Sequence, residues 1–382
     1  MLRVQVRSNI RSARYFSTSF PCQANRAIVY TKPGNPVEVL HAKTFPSLPP
    51  PSPTTVNIRY LLSPINPADV NVIEGKYPTK ATLVNELSGL HLDPAVFVAG
   101  NEALAEVTEV GDQVEGLKKG DRVVMNGAQS GTWRSARSIS PADVTKVPQG
   151  ASDAVAATMT VNFATAYNML HDFVDLKKDD WIIQNGANSA VGQAVIQIAA
   201  RRGLRTLNFV RNRDRHEDLK AYLTGLGATE VVTYDELQNK DFKNKVQQWT
   251  EGKQIRLMLN CVSGQVTSAA VRLLGQDAHL VSYGAMSKEP LSLPTSVFIF
   301  KNLTCHGFWQ SRWYQDADTH KREALMKTLV ELQLKEAEHE ILTIPADHSD
   351  DTVTEKVREV MEKLSKGQYG KKVLLKIEQP VD

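Results

Sequence analysis

The first third of the chain carries short β-type runs separated by glycine and proline. Residues 27–30 and 56–61 have the clustering or alternation of apolar side chains that predicts strands, and residues 46–53 form a proline-rich connector. Between residues 95 and 125, valine-rich runs are interrupted by glycine. Short strands with such turns favour a compact, partly open β-barrel.

Beyond about residue 155, helical periodicity alternates with apolar strand-like runs, which predicts parallel βαβ units and a doubly wound sheet. Apolar stretches such as 257–259 and 297–300 predict buried strands or helix fragments. After residue 312 the chain becomes charged and helical. The predicted helices cover residues 151–171, 190–202, 214–225 and 265–274, and the predicted strands cover 181–184, 205–210, 230–233, 255–260, 278–283 and, at the end, 372–377.

These patterns predict an α/β protein of two domains. We place a β-rich domain at residues 23–160 and 313–382, and a doubly wound domain of the Rossmann type at residues 161–312. A length of 382 residues suits two domains, and 42% hydrophobic with 23% charged residues is typical of a globular protein. We expect no membrane span, because no apolar run approaches about 18 residues.

The first segment is basic and free of acids. Residues 1–37 contain no Asp or Glu, and Arg3, Arg7, Arg11 and Arg14 share one helical face. An amphipathic, Arg-rich leader of this kind predicts a mitochondrial transit peptide over residues 1–22, cleaved between residues 14 and 22. The alternative is a disordered basic tail. Removal of four arginines would take the formal charge from +3 to about −1, so nucleic-acid binding is not expected.

The cysteines and histidines show no cluster that predicts metal binding. Cys22, Cys261 and Cys305 lie far apart in the sequence, and no histidine has metal-ligand spacing to them or to acids. We therefore expect neither a disulfide framework nor a metal site.

A turn between a predicted strand and helix resembles a dinucleotide-binding fingerprint. Its three small positions are Ala187, Ser189 and Gly192 instead of three glycines. Small residues let the turn approach a pyrophosphate, and the free amides of the helix N-terminus attract its charge. A plain strand–turn–helix junction is the alternative interpretation.

The next strand ends about 20 residues later in Arg211, Asn212 and Arg213, where a ribose-reading residue is expected. Two arginines suit a 2′-phosphate, because guanidinium groups form charge-assisted, bidentate hydrogen bonds. This favours NADPH as the cofactor. A solvated basic strand end, with Asp214 neutralising one arginine, is the alternative.

The order of these features, with two short motifs, resembles the medium-chain dehydrogenase/reductase superfamily. The chain has Asn-Pro-Ala-Asp at residues 66–69 and Gly-Asn-Glu at residues 100–102. The second stands where zinc alcohol dehydrogenases have Gly-His-Glu, so Asn101 replaces a zinc ligand, and their structural cysteine cluster is absent from the sequence. The resemblance implies a zinc-free member with a GroES-like, partly open β-barrel catalytic domain.

Three segments resemble the mitochondrial enoyl thioester reductases within that superfamily, namely residues 71–80, 131–134 and 307–309. The resemblance implies that Tyr77 is catalytic, and that Trp133 and Trp309 are walls of the substrate pocket. A core tyrosine, and buried aromatic packing for each tryptophan, are the alternatives.

The resemblance also implies a set of cofactor contacts. For Asn162, the alternative is a buried amide whose hydrogen bonds are satisfied within the protein. For Lys371, the alternative is a lysine that is simply exposed to solvent. The implied contacts are Asn162, Asn188, Ser189, Ala190, Val191, Arg211, Asn212, Arg213, Tyr283, Gly284, Ala285, Met286, Phe308, Trp309, Gln310 and Lys371.

The resemblance implies NADPH-dependent reduction of trans-2-enoyl thioesters, on coenzyme A or acyl carrier protein, in mitochondrial fatty acid synthesis in the matrix. Hydride would go to C3 and a proton to C2. Tyr77 would either protonate C2 or stabilise the enolate, and the sequence leaves both open. The superfamily further implies a homodimer formed through edge strands. The alternatives are a zinc-free NADPH:quinone reductase and a non-catalytic NADPH-binding mitochondrial protein.

Overall fold

The computed structural model describes residues 24–369 and 371–380. The predicted transit peptide and Cys22 lie outside these residues. The strands are β1 Asn25–Tyr30, β2 His41–Phe45, β3 Val56–Pro64, β4 Leu83–Leu87, β5 Leu90–Val98, β6 Leu104–Val110, β7 Arg122–Met125, β8 Ala136–Ile139, β9 Val144–Lys146, β10 Trp181–Asn185, β11 Arg205–Val210, β12 Glu230–Thr233, β13 Ile255–Asn260, β14 His279–Ser282, β15 Thr304–Gly307, β16 His339–Ile344 and β17 Lys372–Ile377.

The α-helices connect these strands. They are α1 Pro36–Val39, α2 Pro67–Ile73, α3 Asp153–Thr158, α4 Ala164–His171, α5 Ala190–Arg201, α6 His216–Gly225, α7 Phe242–Trp249, α8 Gly264–Ala270, α9 Thr295–Lys301, α10 Gln310–Asp316, α11 Thr319–Glu331 and α12 Asp350–Ser365. A π-helix covers Met159–Phe163, and short 3₁₀ turns cover Pro141–Asp143, Tyr234–Gln238 and Val271–Leu273. No helix among the described residues is long and apolar enough to cross a bilayer.

Six parallel strands form the predicted doubly wound sheet, in the order β12-β11-β10-β13-β14-β15. The strand order reverses between β10 and β13, so the loops after these two strands diverge and leave a crevice at the carboxyl edge of the sheet. The strands predicted at 181–184, 205–210, 230–233, 255–260 and 278–283 agree with β10 to β14 to within one residue at each end.

The remaining strands form two further sheets. One has the order β2-β1-β5-β4, and the other has the order β16-β17-β3-β6-β7-β9 with β8 paired to β3. The last two strands return to the N-terminal half, since β17 pairs antiparallel with β3. This return agrees with a catalytic domain built from both ends of the chain, while the boundaries at residues 160 and 312 remain a prediction.

The largest hydrophobic core joins the two halves of the chain. It includes Leu62 and Leu104 from the β-rich half, Ile182 and Val195 from the parallel sheet and its first helix, and Leu325 from α11. Burial of side chains from both halves in one core holds one half against the other.

The sequence predicts one helix over residues 151–171, but the structure has three consecutive segments there. Helix α3 passes into the π-helix Met159–Phe163, which passes into α4. The irregularity has a local cause, because the Glu102 carboxylate accepts hydrogen bonds from the Thr160 hydroxyl at 2.8 Å and from the Val161 amide at 3.0 Å. Single-turn π segments are frequent at functional sites.

The prediction that residues 297–300 are buried is wrong for three of the four. They lie in α9, where Val297 is buried but Phe298, Ile299 and Phe300 are 39%, 67% and 71% exposed. An apolar run in the sequence does not show whether the segment is buried in the core or exposed as an apolar patch, because both consist of apolar residues.

Gly192 permits the close approach of α5 to the end of β10. A Cβ atom there would lie 2.5 Å from the Ala187 carbonyl oxygen and 2.7 Å from the Ala187 Cα. Both are backbone atoms, which cannot rotate away. A glycine at position 192 therefore permits close packing of the helix against the end of the strand.

We expect Gly192→Ala to reduce the free energy of unfolding by about 1–3 kcal/mol, because the methyl group must push α5 away from the turn. Urea denaturation followed by circular dichroism measures this. The matched control is Gly225→Ala at the end of α6, where a Cβ would meet nothing within 4 Å. It should leave stability unchanged or raise it by about 0.4–1 kcal/mol. Equal effects of the two substitutions would contradict the packing role of Gly192.

Candidate active site

A cavity of about 930 Å³ lies between the carboxyl edge of the parallel sheet and the β-rich half. Tyr77 and all the predicted cofactor residues line it. Tyr77 follows α2. The others come from the loops after β10, β11, β14 and β15, from the first residues of α5 and α10, from the π-helix, and from the segment before β17. The predicted residues that line the cavity are Tyr77, Asn162, Asn188, Ser189, Ala190, Val191, Arg211, Asn212, Arg213, Tyr283, Gly284, Ala285, Met286, Phe308, Trp309, Gln310 and Lys371.

The turn after β10 presents the N-terminus of α5 to the cavity. Ser189 is the N-cap residue, and its hydroxyl accepts a hydrogen bond from the Gly192 amide at 3.1 Å. Gly186 adopts φ +62°, and a Cβ there would lie 2.5 Å from Cys261 Sγ. The tight turn and the helix N-terminus together form an anion-binding element.

Two arginines lie at one end of the cavity, just beyond β11. The side chains of Arg211 and Arg213 form no ion pair in the part of the chain that the structure describes, whereas the nearby Arg215 pairs with Asp218 at 2.6 Å. Partial burial, and then the like charge of Arg211, lowers the pKa of Arg213. An anion bound between the two guanidinium groups would relieve this repulsion.

Asn162 lies in the π-helix and is 5% exposed, yet its Oδ1 atom has no hydrogen-bond partner. The alternative of a satisfied internal amide is therefore wrong. A buried unpaired acceptor is costly, so an amide that lines a cavity in this state is suited to a ligand donor.

Tyr77 and Trp309 meet across the cavity from opposite walls. The Trp309 indole Nε1–H donates to the Tyr77 Oη at 2.8 Å, and the two rings pack edge to face at 6.2 Å. Since an indole nitrogen can only donate, the phenolic oxygen is the acceptor and its own O–H remains available. Burial, opposed by the Trp309 hydrogen bond and aided by the negative charge of Asp69, raises the pKa of Tyr77. The phenol is thus a neutral hydrogen-bond donor at physiological pH.

Trp133 does not line the cavity, so the prediction that it is a wall of the substrate pocket is wrong. Its side chain is fully buried in a core with Ile28, Tyr30 and Ile73, and its Nε1–H donates to the Pro64 carbonyl at 3.3 Å. Trp133 thus supports the segment after β3 from beneath. The alternative of buried aromatic packing applies to this residue, whereas Trp309 is half-buried and lines the cavity.

The predictions missed a group of polar residues on the cavity wall. Asn66, Glu102, Thr160 and Lys372 all line the cavity and interact with one another, directly or through Glu102. Asn66 and Glu102 belong to the Asn-Pro-Ala-Asp and Gly-Asn-Glu motifs, but the motifs do not indicate that these two side chains form a hydrogen bond. Lys372 stands beside the predicted Lys371, and nothing in the local sequence distinguishes the two.

Asn101, which stands where zinc alcohol dehydrogenases have a histidine ligand, has a structural role in this chain. The Asn101 Oδ1 accepts a hydrogen bond from the Gln129 amide at 2.6 Å. Among residues 24–369 and 371–380, no three His, Cys, Asp or Glu side chains converge in a way that could hold a metal ion.

Comparison with protein families places both halves of the chain in one superfamily. Residues 52–162 match the alcohol dehydrogenase GroES-like domain, and residues 190–329 match the zinc-binding dehydrogenase family. The mitochondrial enoyl-[acyl-carrier-protein] reductase of Schizosaccharomyces pombe is 43% identical over 307 residues, covering 78% of this chain and 81% of the relative. The Homo sapiens enzyme of that name is 40% identical, covering 84% and 82%.

Solved structures extend the similarity to the whole fold. A complex of Etr1p with NADP and crotonyl-CoA superposes with a TM-score of 0.85 at 29% identity, covering 92% of this chain and 99% of that one. The Etr1p/Etr2p heterodimer of Candida tropicalis, a mitochondrial 2-enoyl thioester reductase, gives 0.83 at 30% identity with the same coverage. A putative NADPH:quinone reductase of Bacillus thuringiensis, with a TM-score of 0.73 at 22% identity, shares the fold.

The predicted fold class, a GroES-like catalytic domain with a Rossmann cofactor domain, is confirmed by these matches. The sequence identity of 40–43% to these relatives, over more than three quarters of the chain, shows the family as well as the fold. The chain belongs to the mitochondrial enoyl-[acyl-carrier-protein] reductase family of the medium-chain dehydrogenase/reductase superfamily.

Proposed function

We propose that this chain is an NADPH-dependent reductase of trans-2-enoyl thioesters that forms saturated acyl thioesters for mitochondrial fatty acid synthesis. The observation that carries the proposal is the Tyr77–Trp309 hydrogen bond in a cavity that also contains the paired arginines. The relatives with 40% and 43% identity bear the name of this activity, and the Etr1p complex contains NADP with crotonyl-CoA.

The residues of the cavity fit NADPH at three separate points. Arg211 and Arg213 suit the 2′-phosphate, and the α5 N-terminus behind Ser189 suits the pyrophosphate. The unpaired Oδ1 of Asn162 suits an N–H donor of the cofactor. Lys371 is exposed at the cavity and adds a positive charge for a phosphate.

Bound NADPH supplies the hydride that reduces C3 of the enoyl group. The protein must then manage the negative charge that develops on the thioester oxygen, and the proton that C2 requires. Because Trp309 holds the Tyr77 oxygen at 2.8 Å, the phenolic O–H is oriented before the substrate arrives. A donor fixed in this way lowers the barrier most when it meets charge that exists only in the transition state. Tyr77 thus serves the reaction as a positioned donor, whether to the enolate oxygen or to C2.

The carrier of the acyl chain is coenzyme A or acyl carrier protein, and the site of action is the mitochondrial matrix. The matrix assignment combines the acid-free arginine leader with the mitochondrial relatives. A quinone reductase is the competing activity, since it would use the same cofactor cavity. It would not require a proton donor at Tyr77.

We expect Tyr77→Phe to lower kcat for trans-2-hexenoyl-CoA by about 100-fold or more, because the substitution removes the positioned O–H donor. NADPH oxidation is followed by absorbance, with trans-2-decenoyl-CoA and a quinone run in parallel. The control is Tyr167→Phe, whose ring stacks on His171 outside the cavity and which should leave kcat unchanged. Activity of the wild type on the quinone alone, or full turnover by Tyr77→Phe, would overturn the substrate assignment.

We expect the double substitution Arg211→Ser with Arg213→Ser to raise KM for NADPH by about 10–100-fold, because two charge-assisted contacts to the 2′-phosphate are lost. KM for NADH should stay within about twofold, since NADH lacks that phosphate. Steady-state kinetics with both cofactors measures the ratio. Arg215→Ser, next along the same loop, is the matched control with no expected change. A parallel loss for NADH would show that the arginines do not read the phosphate.

We also propose that two copies associate through the free edge of the parallel sheet. Strand β15 is the last strand of that sheet, and α9 beside it presents the exposed side chains of Phe298, Ile299 and Phe300. An exposed apolar patch next to an unpaired strand edge is suited to a second copy of the same surface. The Candida tropicalis relative is described as a heterodimer of two such reductases.

We expect Ile299→Glu to convert the dimer to monomer, because the substitution places a charge in the apolar centre of the contact. Sedimentation velocity gives the mass. Ile341→Glu, at an exposed apolar residue of β16 in a different sheet, should leave the dimer intact. A wild-type chain that sediments as a monomer at micromolar concentration would contradict the proposal.

A further inference from the structure

Near Tyr77 and Trp309, two acidic side chains and one basic side chain surround a single asparagine. Asp69 and Glu102 are each 1% exposed, and Lys372 is half-buried and lines the cavity. Asn66 lies among them. The four residues come from the start of α2, from the loop before β6 and from the start of β17, so only the folded chain brings them together.

The side-chain amide of Asn66 is oriented by a charge on each side. Its Nδ2 donates to Glu102 Oε1 at 2.7 Å, and its Oδ1 accepts from the Lys372 ammonium group. An amide has one donor end and one acceptor end, so an anion on one side and a cation on the other permit a single orientation.

Asn66 is also the N-cap residue of α2, the helix that leads to Tyr77. Its backbone amide donates to Asp69 Oδ2 at 2.7 Å. The end of the helix is closed by the Lys76 amide, which donates to the Asn71 carbonyl at 2.8 Å. Tyr77 is the next residue, so the position of its phenol follows from how α2 is held at Asn66.

Glu102 connects this arrangement to the cofactor side of the cavity. While one oxygen accepts from Asn66, the other accepts from the Thr160 hydroxyl and the Val161 amide. These groups belong to the π-helix that presents Asn162. One carboxylate therefore holds both the segment of the proton donor and the segment of a predicted cofactor contact.

Burial lowers the pKa of Lys372 and disfavours the charged forms of both carboxyl groups, and the attraction between the ammonium group and the carboxylates opposes these effects. Two carboxyl groups that are nearly inaccessible to water oppose ionisation, and burial raises the pKa of Asp69 to about 7 and also raises the pKa of Glu102. Lys372 opposes both shifts. The neighbouring ionisable groups are the phenols of Tyr30, Tyr77 and Tyr314, with Arg322 beyond Tyr314. Lys372 is the cation in contact with Asn66, so it offsets negative charge beside a cavity where an enolate must form.

We propose that Lys372 is a positioning residue for the enoyl reduction: its ammonium group orients the Asn66 amide and balances Glu102 and Asp69, and so holds α2 with Tyr77 in place. The inference rests on the proposed function for the identity of the reaction. Lys372 acts through Asn66 and the carboxylates, and it makes no bond to the reacting atoms.

The first test is Lys372→Met, which keeps length and removes the charge. We expect kcat for trans-2-hexenoyl-CoA to fall about 10–50-fold, the size of losing a charged hydrogen bond. KM for NADPH should stay within about threefold, because the arginines and the α5 turn are untouched. Lys376→Met is the matched control, an exposed lysine on the same strand, and it should behave as wild type. Lys372→Gln provides the same comparison if Lys372→Met does not fold.

The second test separates this role from a merely structural one by using the chemistry of the amide. Glu102→Gln alone should also lower kcat. The glutamine oxygen is needed by the Thr160 and Val161 donors, so the new NH₂ group faces the NH₂ group of Asn66, whose orientation Lys372 fixes. Combined with Lys372→Met, it should recover at least fivefold of the lost kcat. The Asn66 amide can then turn, so that its oxygen accepts from the new NH₂, and no uncompensated carboxylate remains at position 102.

The outcomes distinguish the two proposals. Losses that simply multiply in the double variant, or wild-type kcat in both Lys372 variants, would overturn the positioning role and leave the reductase assignment intact. A wild-type protein that fails to oxidise NADPH with either enoyl thioester would instead overturn the proposed function itself.

Discussion

The contact between α5 and the turn after β10 sets the geometry of the cofactor half. At Gly192 the helix lies so close to the Ala187 backbone that a single methyl group would collide with it. This approach aims the helix N-terminus at the crevice where the strand order reverses. The loops after β11, β14 and β15 reach the same crevice because parallel strands end at one edge. The two arginines and Trp309 thus lie at the same sheet edge that the N-terminus of α5 faces.

The opposite wall of the cavity depends on polar contacts instead of close packing. One carboxylate oxygen of Glu102 accepts a hydrogen bond from Asn66 at the start of α2, and the other accepts one from the Val161 amide. Val161 lies in the π-helix that separates α3 from α4. Trp133 fills the core below, so it contributes rigidity to the wall without facing the substrate. The site is therefore rigid for two different reasons, shape on one side and hydrogen bonding on the other.

The sequence predicted the parallel sheet closely because buried parallel strands are short apolar runs between helices, and their ends coincide with loops. The turn after β10 and the arginines after β11 were found from the sequence pattern, and the family resemblance supplied the other predicted cofactor contacts, which also line the cavity. Prediction from the sequence failed where the decisive interaction joins distant segments. Lys372 contacts Asn66 across 306 positions, and no local pattern separates it from Lys371. The prediction for residues 297–300 failed because apolar character does not indicate whether the core or another surface covers a segment. The prediction for Trp133 was taken from the family resemblance, and its burial depends on segments that lie far apart in the sequence.

The hydrogen bond between Trp309 and Tyr77 has a consequence for how the two halves of the chain depend on each other. The two residues are 232 positions apart and belong to opposite walls, so the bond forms only when both halves of the chain are docked. A hydrogen bond of 2.8 Å weakens steeply once its atoms separate by more than about half an ångström. Any separation of the two walls would therefore disconnect the indole from the phenol. The phenol is thus held in place only while both halves are docked, so the geometry of this pair depends on the hydrophobic core that joins them.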